Sequence, residues 1–286
     1  MYITIRRSMP YWIYLLIILS ACSASGQKTE PRKSILMTEE QITEKYLRNG
    51  AWRYRYFAPE YQLYLDSAIA INPNMAYLYQ QKAMPLFKQG KYELGMKSLD
   101  KAVELEPNEY LDYRAFIKCI FAKTYEAAIT DFQQAKKLIA EHGVVMDHSY
   151  DFYIGLCYLQ RSDFPQALSY FEKSIDHMRK LNGENWIHYL DQFYAGIALQ
   201  ELNRNEEALT YFNQALKSYP AFSDAKYYKT ISLYKTGKIE EAKKCLDECE
   251  ADLKKGFTIN EDNAIYEKYP YQIKQFYIDM IRSSKP

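Results

Sequence analysis

The stretch "AYLYQQKAMPLFKQGKYELGMKSLDKAVELEPN", residues 76–108, decides the fold. Apolar residues recur at helical spacing from Ala76 to Phe87, Lys88-Gln89-Gly90 breaks them with a turn, a second helical pattern follows, and Glu106-Pro107-Asn108 stops it. Small residues at Ala83, Gly95 and Ala102 let two helices approach closely. Tyr79, Leu86, Tyr92 and Leu99 fill the space around that contact.

The same unit recurs. "DFYIGLCYLQRSDFPQALSYFEKSI" (151–175), "QFYAGIALQELNRNEEALTYFNQALKSYP" (192–220) and "KYYKTISLYKTGKIEEAKKCLDECE" (226–250) repeat the scheme, as does "YRAFIKCIFAKTYEAAITDFQQA" (113–135). A degenerate copy with Trp52 and a tyrosine-rich first helix ends at Ala68 and Pro73 and is expected to serve as the amino-terminal cap. The equivalent small positions Ala68, Ala102, Ala135, Ser174, Ala215 and Cys249 are separated by 34, 33, 39, 41 and 34 residues. The two long intervals hold "AEHGVVMDH" (140–148) and "KLNGENWIH" (180–188), which read either as longer loops or as lengthened helices.

Tyr79, Ala83, Leu86, Gly90, Tyr92, Gly95, Leu99, Ala102 and Pro107 fall at the signature places of the tetratricopeptide repeat, which this unit resembles. The resemblance covers about residues 41–255. It implies an all-α superhelical solenoid of about six helix pairs, here taken as residues 35–258, in which each pair covers its neighbour's apolar face. Residues 259–286 lack the signature but are helical in period after Pro270, and are expected to form a C-terminal capping helical segment.

In such arrays the first helix of each pair lines a concave groove. Carried onto this chain, the groove positions are Tyr77, Gln80, Met84 and Phe87; Leu111, Arg114, Lys118 and Phe121; Ser149, Phe152, Leu156 and Leu159; Leu190, Phe193, Ile197 and Gln200; and Asp224, Tyr227, Ile231 and Tyr234. The face is unusually aromatic, and Arg114 with Lys118 adds a positive spot suited to a carboxylate. Such a face is either covered by the chain's own C-terminal helix or open to an extended peptide or partner helix. Tyr77, Gln80, Met84, Phe87, Arg114, Lys118, Phe152, Phe193, Tyr227 and Tyr234 are taken as the groove that binds a protein or peptide. The Lys/Asn/Lys/Arg clamp of repeats that bind chaperone tails is not matched.

At the amino terminus, Arg6 and Arg7 precede nine apolar residues, Tyr11 to Leu19, and then Leu19-Ser20-Ala21-Cys22. That order is a secretory signal, since a spanning helix needs about 20 apolar residues. LSAC resembles the lipobox of bacterial lipoproteins. The resemblance implies a signal peptide over 1–21, cleavage before Cys22, lipid on Cys22, and a small, polar tether over 22–34. Ser23 favours the outer membrane, facing the periplasm.

Lys plus Arg number 37 against 36 Asp plus Glu, so the field that grips a nucleic-acid backbone is missing and no nucleic acid is expected as partner. Cys119, Cys157 and Cys249 take the places of small core residues. Cys245 and Cys249, four apart on one helix, are poorly placed for a disulfide and lack a CxxC partner, so packing is expected of them too. The four histidines, at 142, 148, 177 and 188, lie in or beside the inserts, with Asp147 and Asp191 near two of them. Capping and loop ordering are expected there, with no metal and no cofactor. A hydrolase or enzyme subunit built on these His and Asp residues is the alternative, and a purely structural part of a surface complex is another. The leading expectation is a membrane-anchored, non-enzymatic interaction scaffold of the bacterial envelope.

Overall fold

The computed structural model describes residues 37–283. The expected signal peptide, the lipidated Cys22 and the tether through residue 34 lie outside the described residues. Within them the chain is an all-α stack of helix pairs.

The first pair departs from the rest. Thr38 caps α1 (Glu39–Ile42) in a reciprocal box with Gln41, the helix runs on as a π-helical turn (Thr43–Arg48), and α2 (Pro59–Ile71) follows after an irregular segment. Ile42, Leu47, Tyr61, Leu65 and Ala68 form a core of their own with Met75 and Leu78. Five regular pairs follow: α3/α4 (Ala76–Lys88, Tyr92–Leu105), α5/α6 (Pro107–Ile120, Tyr125–Leu138), α7/α8 (Tyr150–Gln160, Phe164–Asn182), α9/α10 (Tyr189–Glu201, Asn205–Ser218) and α11/α12 (Ser223–Lys235, Ile239–Lys254).

Each pair turns on a left-handed residue: Gly90, Lys123, Ser162, Asn203 and Gly237 all have φ between 55° and 74°. Beside that residue, an amide bonds back five residues to a helix carbonyl, as in Lys91 N to Leu86 O, Asp163 N to Tyr158 O, Arg204 N to Leu199 O and Lys238 N to Leu233 O. Only glycine takes such a φ freely, so Lys123 and Ser162 hold it against their own preference. The α5–α6 turn is one residue longer, with Thr124 N reaching Lys118 O.

The close approach expected of the small residues is present. A Cβ on Gly95 would lie 2.8 Å from the Phe87 ring, on Gly155 2.9 Å from Phe171, and on Gly196 2.7 Å from Phe212. The main core runs unbroken from Ala76 to Phe222. Every residue of α9 from Leu190 to Gln200 is buried, the state of a helix enclosed on all sides.

The two inserts differ. The first is a β-hairpin, β1 (Val144–Val145) against β2 (His148–Ser149), with Val145 opposite His148 and both turn residues, Met146 and Asp147, at positive φ. The second lengthens α8 to Asn182 and closes through a 3₁₀ turn, Glu184–Trp186.

The capping helix expected after Pro270 is present, but it takes up only the end of the segment 259–286. Only α13 (Gln275–Ser283) is helical, packing Ile278 with Tyr227, Leu246 and Cys249 while Arg282 bonds Asp247 and Glu250. Residues 257–274 form no helix. Asn, Asp and Pro break any helical pattern there, and the segment instead buries Ile259, Tyr269 and Ile273 against the stack while Phe257 and Tyr266 stay exposed.

Candidate functional site at the inner face

The first helices of the pairs, α3, α5, α7, α9 and α11, make the inner layer, and residues 257–274 cross it as a strap. Both ends of the strap are pinned by one side chain. Asp224, fully buried in the first turn of α11, accepts from Ile259 N (3.0 Å), Ile273 N (2.6 Å) and Thr258 Oγ1 (2.7 Å). Residues 259–273 are therefore an Ω-shaped loop with Asp224 at its neck.

Outbound, Asn260 N donates to Tyr189 OH at 3.4 Å and Glu261 meets His148 Nε2 at 3.2 Å. Asn263 then shares a cavity of about 60 Å³ with Met84, Phe87, Tyr113, Phe116 and Ile117. At the tip, Lys88 sits 4.9 Å from the Tyr266 ring centroid, and the Glu267 carboxylate accepts from Tyr92 OH and pairs with Lys123 at 3.1 Å. On the return, Tyr269 is buried, Tyr194 OH donates to Pro270 O at 3.0 Å, and Tyr271 OH donates to Glu201 at 2.9 Å. Burial pushes the Asp224 carboxyl up to about 6, against the three hydrogen bonds that favour its charged form.

The structure distributes the expected groove residues unevenly. Met84 and Phe87 line the Asn263 cavity, and Tyr227 faces α13, its ring 6.1 Å from Tyr277. Tyr77 is half-buried on the amino-terminal core, and Gln80 Nε2 lies against Met84 Sδ at 2.8 Å. Phe152 and Phe193 are fully buried in the stack: Phe152 packs on Phe171 (6.0 Å) and Phe193 on Phe212 (6.3 Å) and Phe222 (5.0 Å). In α9 the next residue, Tyr194, reaches the strap. Tyr234 packs on the other side, with Leu209, Leu233 and Cys245.

Arg114 and Lys118 also face away from the groove. Asp131 of α6 accepts from Arg114 Nε (2.8 Å), Arg114 Nη2 (3.0 Å) and Lys118 Nζ (2.7 Å), and Asp100 of α4 takes Arg114 Nη1 at 3.0 Å. The positive spot thus holds a carboxylate of the chain itself. Tyr113, Phe116 and Ile117 of α5 line the inner cavity, together with the expected groove residue Phe121 just past the helix end.

The histidines do cap and order loops, and more. His188 Nδ1 accepts from Leu190 N at 3.3 Å at the start of α9, and His142 stacks on His177 at 4.0 Å. His148, in the hairpin, is stacked on Phe152 at 4.0 Å and stands edge-on to His188 at 4.7 Å. His148, His188 and Asp191 each offer a donor atom within 4.8 Å of the others. Beside them Glu261, Asn260, Asp262, Asn263 and Tyr269 of the strap help line a cavity of about 140 Å³. Burial, then the neighbouring His148 ring, holds His188 down to about 4, and burial raises Asp191. Residue spacing pointed to His188 and Asp191 together; Glu261, more than a hundred residues from His148, carried no such signal.

The four described cysteines are free and buried. Cys245 and Cys249 donate to the α11 carbonyls of Lys226 (3.4 Å) and Ser223 (3.2 Å), which fits their expected packing role.

The tetratricopeptide repeat family matches residues 76–109, 149–221 and 195–251. Stress-induced-phosphoprotein 1 of Caenorhabditis elegans is 24% identical over 236 residues, 75% of this chain, and the chain spans 62% of that protein's length. Among solved structures, PilW, a type IV pilus biogenesis factor, shares the fold with TM-score 0.60 and 13% identity over 75% of this chain and 94% of its own. PilF of Pseudomonas aeruginosa does so with TM-score 0.56 and 18% identity over 76% and 93%. The C-terminal part of a repeat protein of Cytophaga hutchinsonii gives TM-score 0.55 and 16% identity over 76% and 80%. Helix pairs, turns and close glycine contacts agree with these matches: the chain carries tetratricopeptide repeats in an all-α solenoid.

Proposed function

We propose that the chain is a lipid-tethered interaction scaffold of the bacterial envelope whose inner groove binds an extended peptide of a partner protein where the strap now lies. Tetratricopeptide repeats mediate protein–protein interaction, and that coarse function comes with the repeats. One observation supports the finer reading: the groove already holds a non-helical segment of the chain, in part through its main chain. Asp224 and Tyr189 accept from backbone amides of the strap, and Tyr194 donates to a strap carbonyl. Main-chain recognition of this kind tolerates different side chains, so a partner segment can replace the strap.

The test is competition. A labelled synthetic peptide of residues 257–274 is added to the full chain and to a strap-weakened variant, Ile259→Ala/Tyr269→Ala/Ile273→Ala. The variant is expected to bind the peptide and the intact chain to bind it far more weakly. No binding by a variant that keeps its helical circular dichroism removes the groove from the function.

The anchor is proposed from the sequence: Cys22, after the apolar run, carries lipid and holds the scaffold at the outer membrane facing the periplasm. Cys22→Ser is expected to abolish lipid labelling and release the protein, and unchanged membrane retention refutes the anchor.

A further inference from the structure

Two buried polar atoms stand beside the strap without a hydrogen-bond partner among the described residues: His148 Nδ1 and Asp191 Oδ1, both in residues more than nine-tenths buried. An orphaned buried acceptor is costly, and two in one place call for a cation or a donor. The tautomer of His148 sharpens this. Glu261 Oε2 lies at 3.2 Å from Nε2, and in the neutral tautomer that keeps the ring proton on Nε2 toward that carboxylate, Nδ1 presents a bare lone pair.

The geometry points to a zinc site formed by His148, His188 and Asp191, with Glu261 of the strap orienting His148 from behind. Two imidazoles and a carboxylate are the donor set zinc takes when a fourth position is left to water, and the cavity of about 140 Å³ beside the ring pair has room for one. A carboxylate on the far nitrogen of a ligating histidine is the usual support for such a ligand. Charge agrees as well: Asp191, Glu261 and the Asp147 and Asp262 carboxylates at the same cavity make the surroundings favourable to a dication. Donor atoms of a tetrahedral zinc lie about 3.4 Å apart for bonds of about 2.1 Å. The present spread of up to 4.8 Å needs side-chain rotation to close. Ligation through His188 Nε2 moves that ring's proton to Nδ1 and gives up the 3.3 Å bond from Leu190 N. Zinc would then join the hairpin, α9 and the strap at one point.

The full chain, freed of metal with EDTA, is titrated with zinc sulfate calorimetrically and with cobalt chloride by absorption, alongside Asp191→Asn, His188→Gln and Glu261→Gln. One zinc per chain is expected, with a rise in melting temperature. Asp191→Asn and His188→Gln should each weaken binding at least about 100-fold, and Glu261→Gln about 10- to 100-fold. The cobalt form should show ligand-field bands without thiolate charge transfer. His188 is only half-buried, so His188→Gln keeps the test open if Asp191→Asn does not fold. No zinc binding by the full chain overturns the site. So does binding undiminished in His188→Gln, or a thiolate band that puts the ion on the cysteines.

Discussion

Asp224→Ala isolates the neck of the strap. The carboxylate accepts from the amides of Ile259 and Ile273, both residues buried, and from the Thr258 hydroxyl. Its removal orphans the two amides, at about 1–3 kcal/mol each, while the hydroxyl can rotate toward other partners. The middle of that range is about 4 kcal/mol, less than the whole stability of a typical domain. Because both lost bonds belong to the strap, the loss falls on strap opening and leaves the helix pairs closed. At about 1.4 kcal/mol per decade, exchange of the Ile259 and Ile273 amides should speed up by about a thousandfold. Hydrogen exchange read by mass spectrometry on peptides covering 257–274, with α3 and α4 peptides as reference, measures this. Unchanged protection of the strap refutes the neck. Equal loss across α3 and α4 refutes it too, since Asp224 would then hold the whole stack.

Four more outcomes follow from the packing. A carboxyl raised from 3.8 to about 6 is protonated more readily in the folded state, so its contribution is fully present below pH 3.8 and is lost as pH rises through about 6. The stability gap of wild type over Asp224→Asn, from urea unfolding, should therefore widen by up to about 3 kcal/mol from pH 7 to pH 4; a flat gap contradicts it. Gly196→Ala sets a Cβ 2.7 Å from Phe212 and should cost about 1–3 kcal/mol in thermal unfolding, partly recovered with Phe212→Leu. Ser162→Gly, at φ 60° on the exposed α7–α8 turn, should raise stability by about 0.5–1 kcal/mol. Asp131→Ala leaves Lys118 without its carboxylate and Arg114 with Asp100 alone, and should cost about 3–5 kcal/mol by denaturant titration.

Helix pairs were legible because their signals are local: the periodicity of 76–105, the turn at Gly90, and the small residues that Gly95, Gly155 and Gly196 supply to ring contacts. The aromatic excess of α7 and α9 was legible too, and its cause was within reach: a helix apolar on every side must be covered on every side. What covers it could not be read off, since the strap has neither helical period nor repeat signature, and its hold depends on Asp224 meeting amides 35 and 49 residues away. Arg114 and Lys118 were read as a free positive spot because their partner, Asp131, sits on the next helix, 17 and 13 residues away in sequence. Likewise the meeting of His148 with His188 and Glu261 depends on a hairpin whose Met146-Asp147 turn lacks the usual Asn-Gly or Gly-Gly signature.

The strap also alters how the molecule comes apart. A repeat array with nearest-neighbour contacts alone frays from its ends, and its repeats melt nearly independently. Here Glu267 is bonded to Tyr92, 175 positions earlier, while the loop that carries it is fastened at α11. A segment late in the sequence thus ties the first regular pair to the fifth. That closure can form only once residues 257–274 have been synthesised, and it holds the two distant pairs against separation. One loop adds a long-range tie to an array otherwise held by contacts between neighbouring pairs.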